Sequence, residues 1–237
     1  MSVAAIILAA GRGDRVGGQT PKQFLDLGGH LLMQHSLLAF ESCDRVDSIV
    51  LVLPRDRPRR ADQAADLPKV IAVTNGGETR QASVGQGLIC IPGDASVVVV
   101  HDAARPLVRE PLIRKVADAL TQDWDGVAAA VEVEDALKEV SSEGELLGAR
   151  PRAGLWRAQT PQVFRREALE ESLARADAEG ASYEDCSEMV RRAGYRVRVV
   201  EGDPSNLKVT RRADLALCES ILAAWVPGRD SSGRSGP

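Results

Sequence analysis

Short runs that are almost wholly apolar alternate along this chain with longer amphipathic ones. Ala5 to Ala10, Ser48 to Leu53, Val70 to Val73, Ser96 to Val100 and Gly126 to Val133 read as buried strands. Such near-continuous runs are the signature of parallel strands covered on both faces. Leu31 to Phe40 repeats apolar residues at helical spacing (Leu31, Met33, Leu37, Leu38, Phe40), and Glu78 to Ile91 sets Val84, Leu88 and Ile91 on one side. Both predict core-facing helices. Phe24 to Leu27 with Gly28-Gly29 predicts a short extended crossing, Arg55 to Asp66 a loop and a solvent-side helix, and Glu110 to Leu120 a further helix. Later come helices over Arg165 to Ala178, near Asp185 to Ala193 and over Arg211 to Trp225, with a strand over Arg196 to Glu201. Strands alternating with helices predict a doubly wound α/β sheet.

The rhythm breaks between Glu134 and Gln159. There Leu137 to Val140 and Leu146-Leu147 flank the hairpin-like Ser141-Ser142-Glu143-Gly144-Glu145. A β-excursion of this kind is a candidate arm, over about 134–159, that packs on something else, often another subunit. Residues 1–226 read as one domain carrying this arm. Residues 227–237, PGRDSSGRSGP, predict a disordered tail, because they lack the apolar content to order themselves.

Composition narrows the function classes. At 237 residues the chain suits one sizeable domain, and 44% hydrophobic with 27% charged residues is ordinary for a globular protein. A net charge of −4 argues against general nucleic-acid binding, so any anion site must be a local concentration of Lys and Arg. The cysteines Cys43, Cys90, Cys186 and Cys218 lie far apart and form no C-x-x-C, which points to reduced thiols rather than zinc or a disulfide framework. No run has the length of a membrane span and no signal segment opens the chain, so a cytoplasmic protein is expected.

Such a local concentration follows the first strand. Gly11, Gly13, Gly17 and Gly18 let backbone N–H groups approach a bulky ligand, and Arg12, Arg15 and Lys22 make that ligand anionic, most simply a polyphosphate. It is not a P-loop, since Lys22 follows Pro21 and precedes Gln23. Nor is it the dinucleotide fingerprint: Gly11 to Gly17 carries one residue too many, and the next strand ends in Leu53-Pro54-Arg55 with no acidic residue. Gly76-Gly77-Glu78-Thr79 stands at a strand end, with Ser83 one turn into the following helix; a flat ligand or a plain turn with a Thr79 N-cap both fit. His101-Asp102-Ala103-Ala104-Arg105 ends the most apolar strand, where a carboxylate suits ribose hydroxyls or a metal-bound polyphosphate and Arg105 offers a fork for phosphate. The lone His101 reads as structural.

Taken in order, A-A-G-x-G-x-R with P-K-Q-F, G-G-x-x-R-x-x-S-V, H-D-A-A-R-P, L-W-x-A-x-T-P-Q and N-L-K-V-T closely resemble the 2-C-methyl-D-erythritol 4-phosphate cytidylyltransferases, from about Ala4 to Trp225. The resemblance implies a Rossmann-like domain, a β-arm that builds a homodimer, and transfer of a cytidylyl group from CTP to a polyol phosphate with Mg²⁺ held mainly by the triphosphate. It places Ala9, Ala10, Gly11, Gly13, Gly77, Glu78 and Ser83 on the nucleotide and Asp102 and Ala103 at the ribose. Arg15, Lys22 and Lys208 become the catalytic cations. Arg105, Asp135, Arg152 and Thr160 fall to the second substrate, Arg152 from across the dimer. Two positions depart from the family's usual pattern: Ala136 and Glu184 stand where threonine is frequent. The neighbouring possibilities are a ribitol-5-phosphate cytidylyltransferase, a sugar-1-phosphate nucleotidyltransferase using another base, and a nucleotide-binding regulator without turnover.

Overall fold

The computed structural model of the chain describes residues 2–11 and 20–225. The sequence-predicted tail, Gly13 and Arg15 lie outside the described residues. In chain order the first half runs β1 (Ser2–Leu8), β2 (Asp26–Leu27), β3 (His30–Leu31), α1 (Leu32–Ser42), β4 (Ser48–Leu53), α2 (Arg59–Ala64), β5 (Val70–Asn75), α3 (Arg80–Ile89) and β6 (Ala95–Asp102). It continues with α4 (Glu110–Asp118), β7 (Gly126–Glu132), β8 (Leu137–Val140), β9 (Leu146–Arg150) and β10 (Trp156–Arg165). The last elements are α5 (Arg166–Ala178), α6 (Cys186–Arg192), β11 (Val197–Glu201) and α7 (Arg212–Trp225). A seven-stranded sheet has the order β11-β7-β10-β6-β1-β4-β5, parallel at every pairing except those of β10.

Strand alternation divides the core between the two faces. On one face Ala5, Ile7, Ile49, Leu51 and Val99 pack against Met33, Leu37 and Phe40 of α1 and Ile113 and Val116 of α4. On the other, Ala4, Ile6, Val50, Val98 and Val100 meet Val84 and Leu88 of α3, Leu169 of α5 and Met189 and Val190 of α6. This is the doubly wound, Rossmann-like α/β arrangement. A smaller cluster, Leu27, Leu32, Leu107, Val209 and Cys218, seats α7 beside the β2–β3 hairpin.

One strand has no clear signal in the sequence. The Trp156–Arg165 run carries Pro161 and a largely polar stretch around it, which reads as loop; the structure makes it β10, antiparallel between β6 and β7, with only Trp156 to Ala158 exposed. Its ladder with β7 breaks between Ala158 and Gln162, and Pro161 falls in that break, where no donor is required. The predicted hairpin is present as β8 and β9, paired antiparallel in a sheet of their own. Val140, Leu146 and Leu147 on it are 54%, 63% and 63% exposed. No helix among the described residues is long and apolar enough to cross a membrane.

Close approach of α3 to the sheet depends on Gly87, where an added Cβ would come 2.5 Å from Ile6 Cγ2. Helix propensity alone favours alanine there by about 1 kcal/mol. Overpacking against a β-branched strand residue outweighs it, so Gly87→Ala is expected to lower unfolding free energy by about 1–3 kcal/mol in urea titration. A stabilised variant would contradict this packing.

Candidate active site

The chain leaves β1 for β4 and β5 on one side, then crosses to β6 on the other side of β1. Connections that part in this way leave a crevice at the C-terminal ends of the two strands. The segment after β1 is fixed at this point: Ala9 N–H donates to Val52 O at 2.8 Å, and Ala103 N–H donates to Leu8 O at 2.9 Å. Ala9 and Ala103 are buried, and Gly11 is exposed beyond them. The β5 end closes in from the side, with Gly76 N–H bonded to Leu53 O at 2.8 Å. A Cβ on Gly76 would stand 2.3 Å from that of Ala10, so only glycine lets the two loops meet.

α3 starts beside this junction. Thr79 caps it, its hydroxyl accepting from Ala82 N–H at 3.0 Å. Ser83 Oγ accepts from Gly77 N–H at 3.2 Å and donates to Thr79 O at 2.9 Å, tying the Gly-Gly turn to the first turn of the helix. Glu78 is exposed next to it. Predicted nucleotide residues from three strand ends thus converge.

Asp102 is the electrostatic centre. Its Oδ1 accepts from Arg80 Nε at 3.0 Å and its Oδ2 from Lys208 Nζ at 2.7 Å. Burial works to raise its pKa, but the Arg80 and Lys208 charges win and hold it well below the usual carboxylate range. Its backbone N–H donates to Thr160 Oγ1 at 3.0 Å, and the same hydroxyl lies 3.1 Å from His101 Nδ1. His101 is fully buried against Phe40, and that burial pushes its pKa down to about 3. It is a neutral structural group, in agreement with the sequence reading.

Lys208 follows β11 in a loop fastened to β10. Gln159 Nε2 donates to Asp203 O at 2.9 Å, and Asn206 Nδ2 donates to Thr160 O at 2.8 Å. Arg105 is buried within the same loop: its guanidinium donates to Asn206 O at 2.9 Å and to Ala158 O at 3.0 Å. Lys22 sits in a single 3-10 turn, Lys22–Phe24, and donates to Val209 O at 2.8 Å. Residues nearly the whole chain apart thereby bring both predicted lysines to one side of the crevice. Asp135 and Arg152 are exposed at the root of the arm, Arg152 bonded to Glu134 O.

Three parts of the site carry too little signal to be assigned from sequence. Arg80 stands inside the G-G-x-x-R motif, yet only the fold brings it to Asp102. Gln159 and Asn206 read as generic amides until β10 and the 203–208 loop are laid side by side. Cys186, the first residue of α6, accepts from Arg80 Nη1 at 3.0 Å, whereas in the sequence it is an isolated thiol.

A mostly parallel α/β sheet with a glycine-lined crevice, a buried carboxylate at its switch point and two lysines on the adjoining loops defines a nucleotide-handling, Rossmann-like domain. The family model for IspD, 2-C-methyl-D-erythritol 4-phosphate cytidylyltransferase, matches residues 3–224, and this chain belongs to that family. A protein of that name from Cereibacter sphaeroides is 43% identical over 94% of this chain and 98% of its own length. One from Symbiobacterium thermophilum is 38% identical over 93% of this chain and 92% of its own. The crystal structure of the cytidylyltransferase from Thermus thermophilus superposes with a TM-score of 0.77 at 31% identity, covering 94% of this chain and 100% of that one.

Burial of His101 has a consequence for stability. As pH falls below about 6.5, the unfolded imidazole takes up a proton that the folded one refuses. The stability that depends on neutral His101 is thus complete above that pH and lost progressively toward about 3. The loss from His101 is expected to reach about 2 kcal/mol by pH 5. His35, whose pKa burial also lowers, adds in the same direction. His101→Gln should flatten the slope of unfolding free energy against pH between 7 and 5; an unaltered slope would contradict the neutral, buried assignment.

Proposed function

We propose that this chain transfers a cytidylyl group from CTP to 2-C-methyl-D-erythritol 4-phosphate, releasing pyrophosphate and CDP-methylerythritol. Family membership over residues 3–224 supports the activity. The observation that carries the site assignment is that Lys208 bonds Asp102 at the end of β6 while Lys22 bonds the carbonyl of the next residue, Val209.

No general base is required. A phosphate monoester is largely dianionic at neutral pH, its second pKa being about 6, and attacks the α-phosphorus in line without losing a proton. The bond from the substrate phosphate oxygen to the α-phosphorus forms as the bond from that phosphorus to the pyrophosphate oxygen breaks. The chain's task is to hold two mutually repelling anions in line and to stabilise the charge that develops. In this reading Ala9, Ala10, Gly11, Gly13, Gly77, Glu78 and Ser83 form the base pocket, Asp102 and Ala103 the ribose site, and Arg15 and Lys22 the triphosphate site. Lys208, now bonded to Asp102, turns to the phosphate that reacts. Thr160 and Arg105 serve the substrate side by fixing Asp102 and the Asn206 loop. Asp135 and Arg152 complete it from the arm.

Once Lys208 turns to the phosphate, Asp102 Oδ2 is left to accept from a ribose hydroxyl while Oδ1 stays on Arg80. Mg²⁺ would be held mainly by the triphosphate and would supply charge neutralisation there. The exposed apolar residues of the arm support a homodimer in which a second copy covers Val140, Leu146 and Leu147 and receives Arg152. Four unpaired cysteines accord with a cytoplasmic enzyme.

Pyrophosphate release with CTP against a panel of polyol phosphates tests the reaction. Methylerythritol phosphate is the expected acceptor, and a preference for ribitol 5-phosphate would overturn the substrate. Lys22→Ala should lower turnover by about 10²–10³, the scale of losing one preorganised charge stabiliser; near-normal turnover would remove Lys22 from the mechanism. Arg152→Ala is expected to raise KM for the polyol phosphate more than for CTP. Equal rises would count against its place on the arm side of the site.

A further inference from the structure

Arg80 has no part in the assignments above, yet it is the most firmly held of the groups on Asp102. We propose that Arg80 is a positioning residue that aims the Asp102 carboxylate at the nucleotide ribose and so sets the preference for ribo- over deoxyribonucleotide. The inference rests on the reading that Asp102 meets the ribose.

The two cations on Asp102 are not equivalent. The Lys208 side chain is 40% exposed, a single ammonium on a flexible stem, whereas that of Arg80 is 21% exposed. Arg80 is the first residue of α3, directly after the Thr79 cap, so its backbone is fixed. Its planar fork is held at two points, Nε on Asp102 Oδ1 and Nη1 on Cys186 Sγ, each at 3.0 Å. The Cys186 thiol is buried, and burial pushes its pKa up, so the sulfur accepts as a neutral atom and orients the guanidinium without competing for its charge.

Asp102 is restrained in a matching way. Thr160 Oγ1 holds its backbone N–H, and Arg80 restrains the side chain through Oδ1. When Lys208 turns to a phosphate, Oδ2 is released toward the crevice while Oδ1 stays clamped. Among the described residues only Arg80 and Lys208 bond the Asp102 carboxylate. Arg105 donates through its two terminal nitrogens to the carbonyls of Asn206 and Ala158, His101 is neutral, and Asp185 is a carboxylate engaged by Gln162 and Ser187. Without Arg80 the carboxylate would follow Lys208 and lose its aim.

The test is the ratio of kcat/KM for CTP to that for 2′-deoxy-CTP, measured in the wild type, R80Q, R80K and D102N, with thermal unfolding in parallel. The wild type should prefer CTP. D102N should cut that preference by about tenfold, the scale of one hydrogen bond to a charged group. R80Q should cut it comparably, and R80K, which keeps the charge but not the fork, should lie between. If R80Q loses activity equally with both nucleotides, or merely melts earlier, Arg80 is only a strut between α3, β6 and α6 and the inference is overturned. Should R80Q not fold, R80K carries the test, and a wild-type ratio in it would overturn the inference equally. An intact ratio in D102N, or no preference in the wild type, would instead overturn the reading of Asp102 at the ribose.

Discussion

The parallel pairing of β1 with β6 is the constraint on which the rest of the site depends. Val3 to Leu8 lie beside Val97 to Asp102, both strands covered by helices on two faces. Since the chain departs from these strands in opposite directions, a crevice opens beyond their ends, and the backbone that follows must find its hydrogen bonds across that gap. The Ala9–Val52 and Ala103–Leu8 bonds are the result, and they place small residues where a nucleotide needs room. Polar groups from distant parts of the sequence then gather there, Ser83 and Arg80 after β5, Thr160 on β10 and Lys208 after β11.

Within that frame one buried carboxylate organises the cations. Asp102 draws Lys208 and Arg80 together, and Arg105 secures the Lys208 loop from beneath through Asn206. Two cations on one anion leave the crevice with positive charge in excess, which suits a polyanionic ligand in a chain whose net charge is −4. A reaction between two phosphates needs this kind of fixed charge more than it needs a proton acceptor, and the histidine in the cluster, His101, is buried and neutral. A surface hollow among the described residues lies elsewhere, between α2 and β5, lined by Asp62 and Asp66 beside Ile71 and Val73. Its acidic and apolar wall does not suit an anion.

Much of this is legible in the sequence where one physical signal dominates. Apolar runs bounded by Gly or Pro mark the parallel strands, since β1, β4 and β6 are buried on both faces and tolerate little else. The chemistry at the strand ends shows because charged residues such as Asp102, Arg105 and Lys208 follow directly on apolar runs or stand in Gly-rich and Pro-rich loops. β10 escapes a sequence reading because its polar run and Pro161 imitate a loop; only the interrupted ladder with β7 reconciles a proline with a central strand. Arg80 and Cys186 escape it for a different reason. Their bond joins residues 106 positions apart, and no local pattern encodes such a contact. Arg105 reads from sequence as a fork for phosphate; that its guanidinium also bonds two backbone carbonyls needs the folded 206 loop to see.

A crystal structure of the chain with CTP tests the central claim most directly. The ribose should lie on Asp102 with the base against Gly77 and Ser83, the triphosphate should reach Lys22, and Lys208 should have moved off the carboxylate. A nucleotide bound away from the β1–β6 crevice, or one bound there with its triphosphate turned from Lys22, would contradict the account.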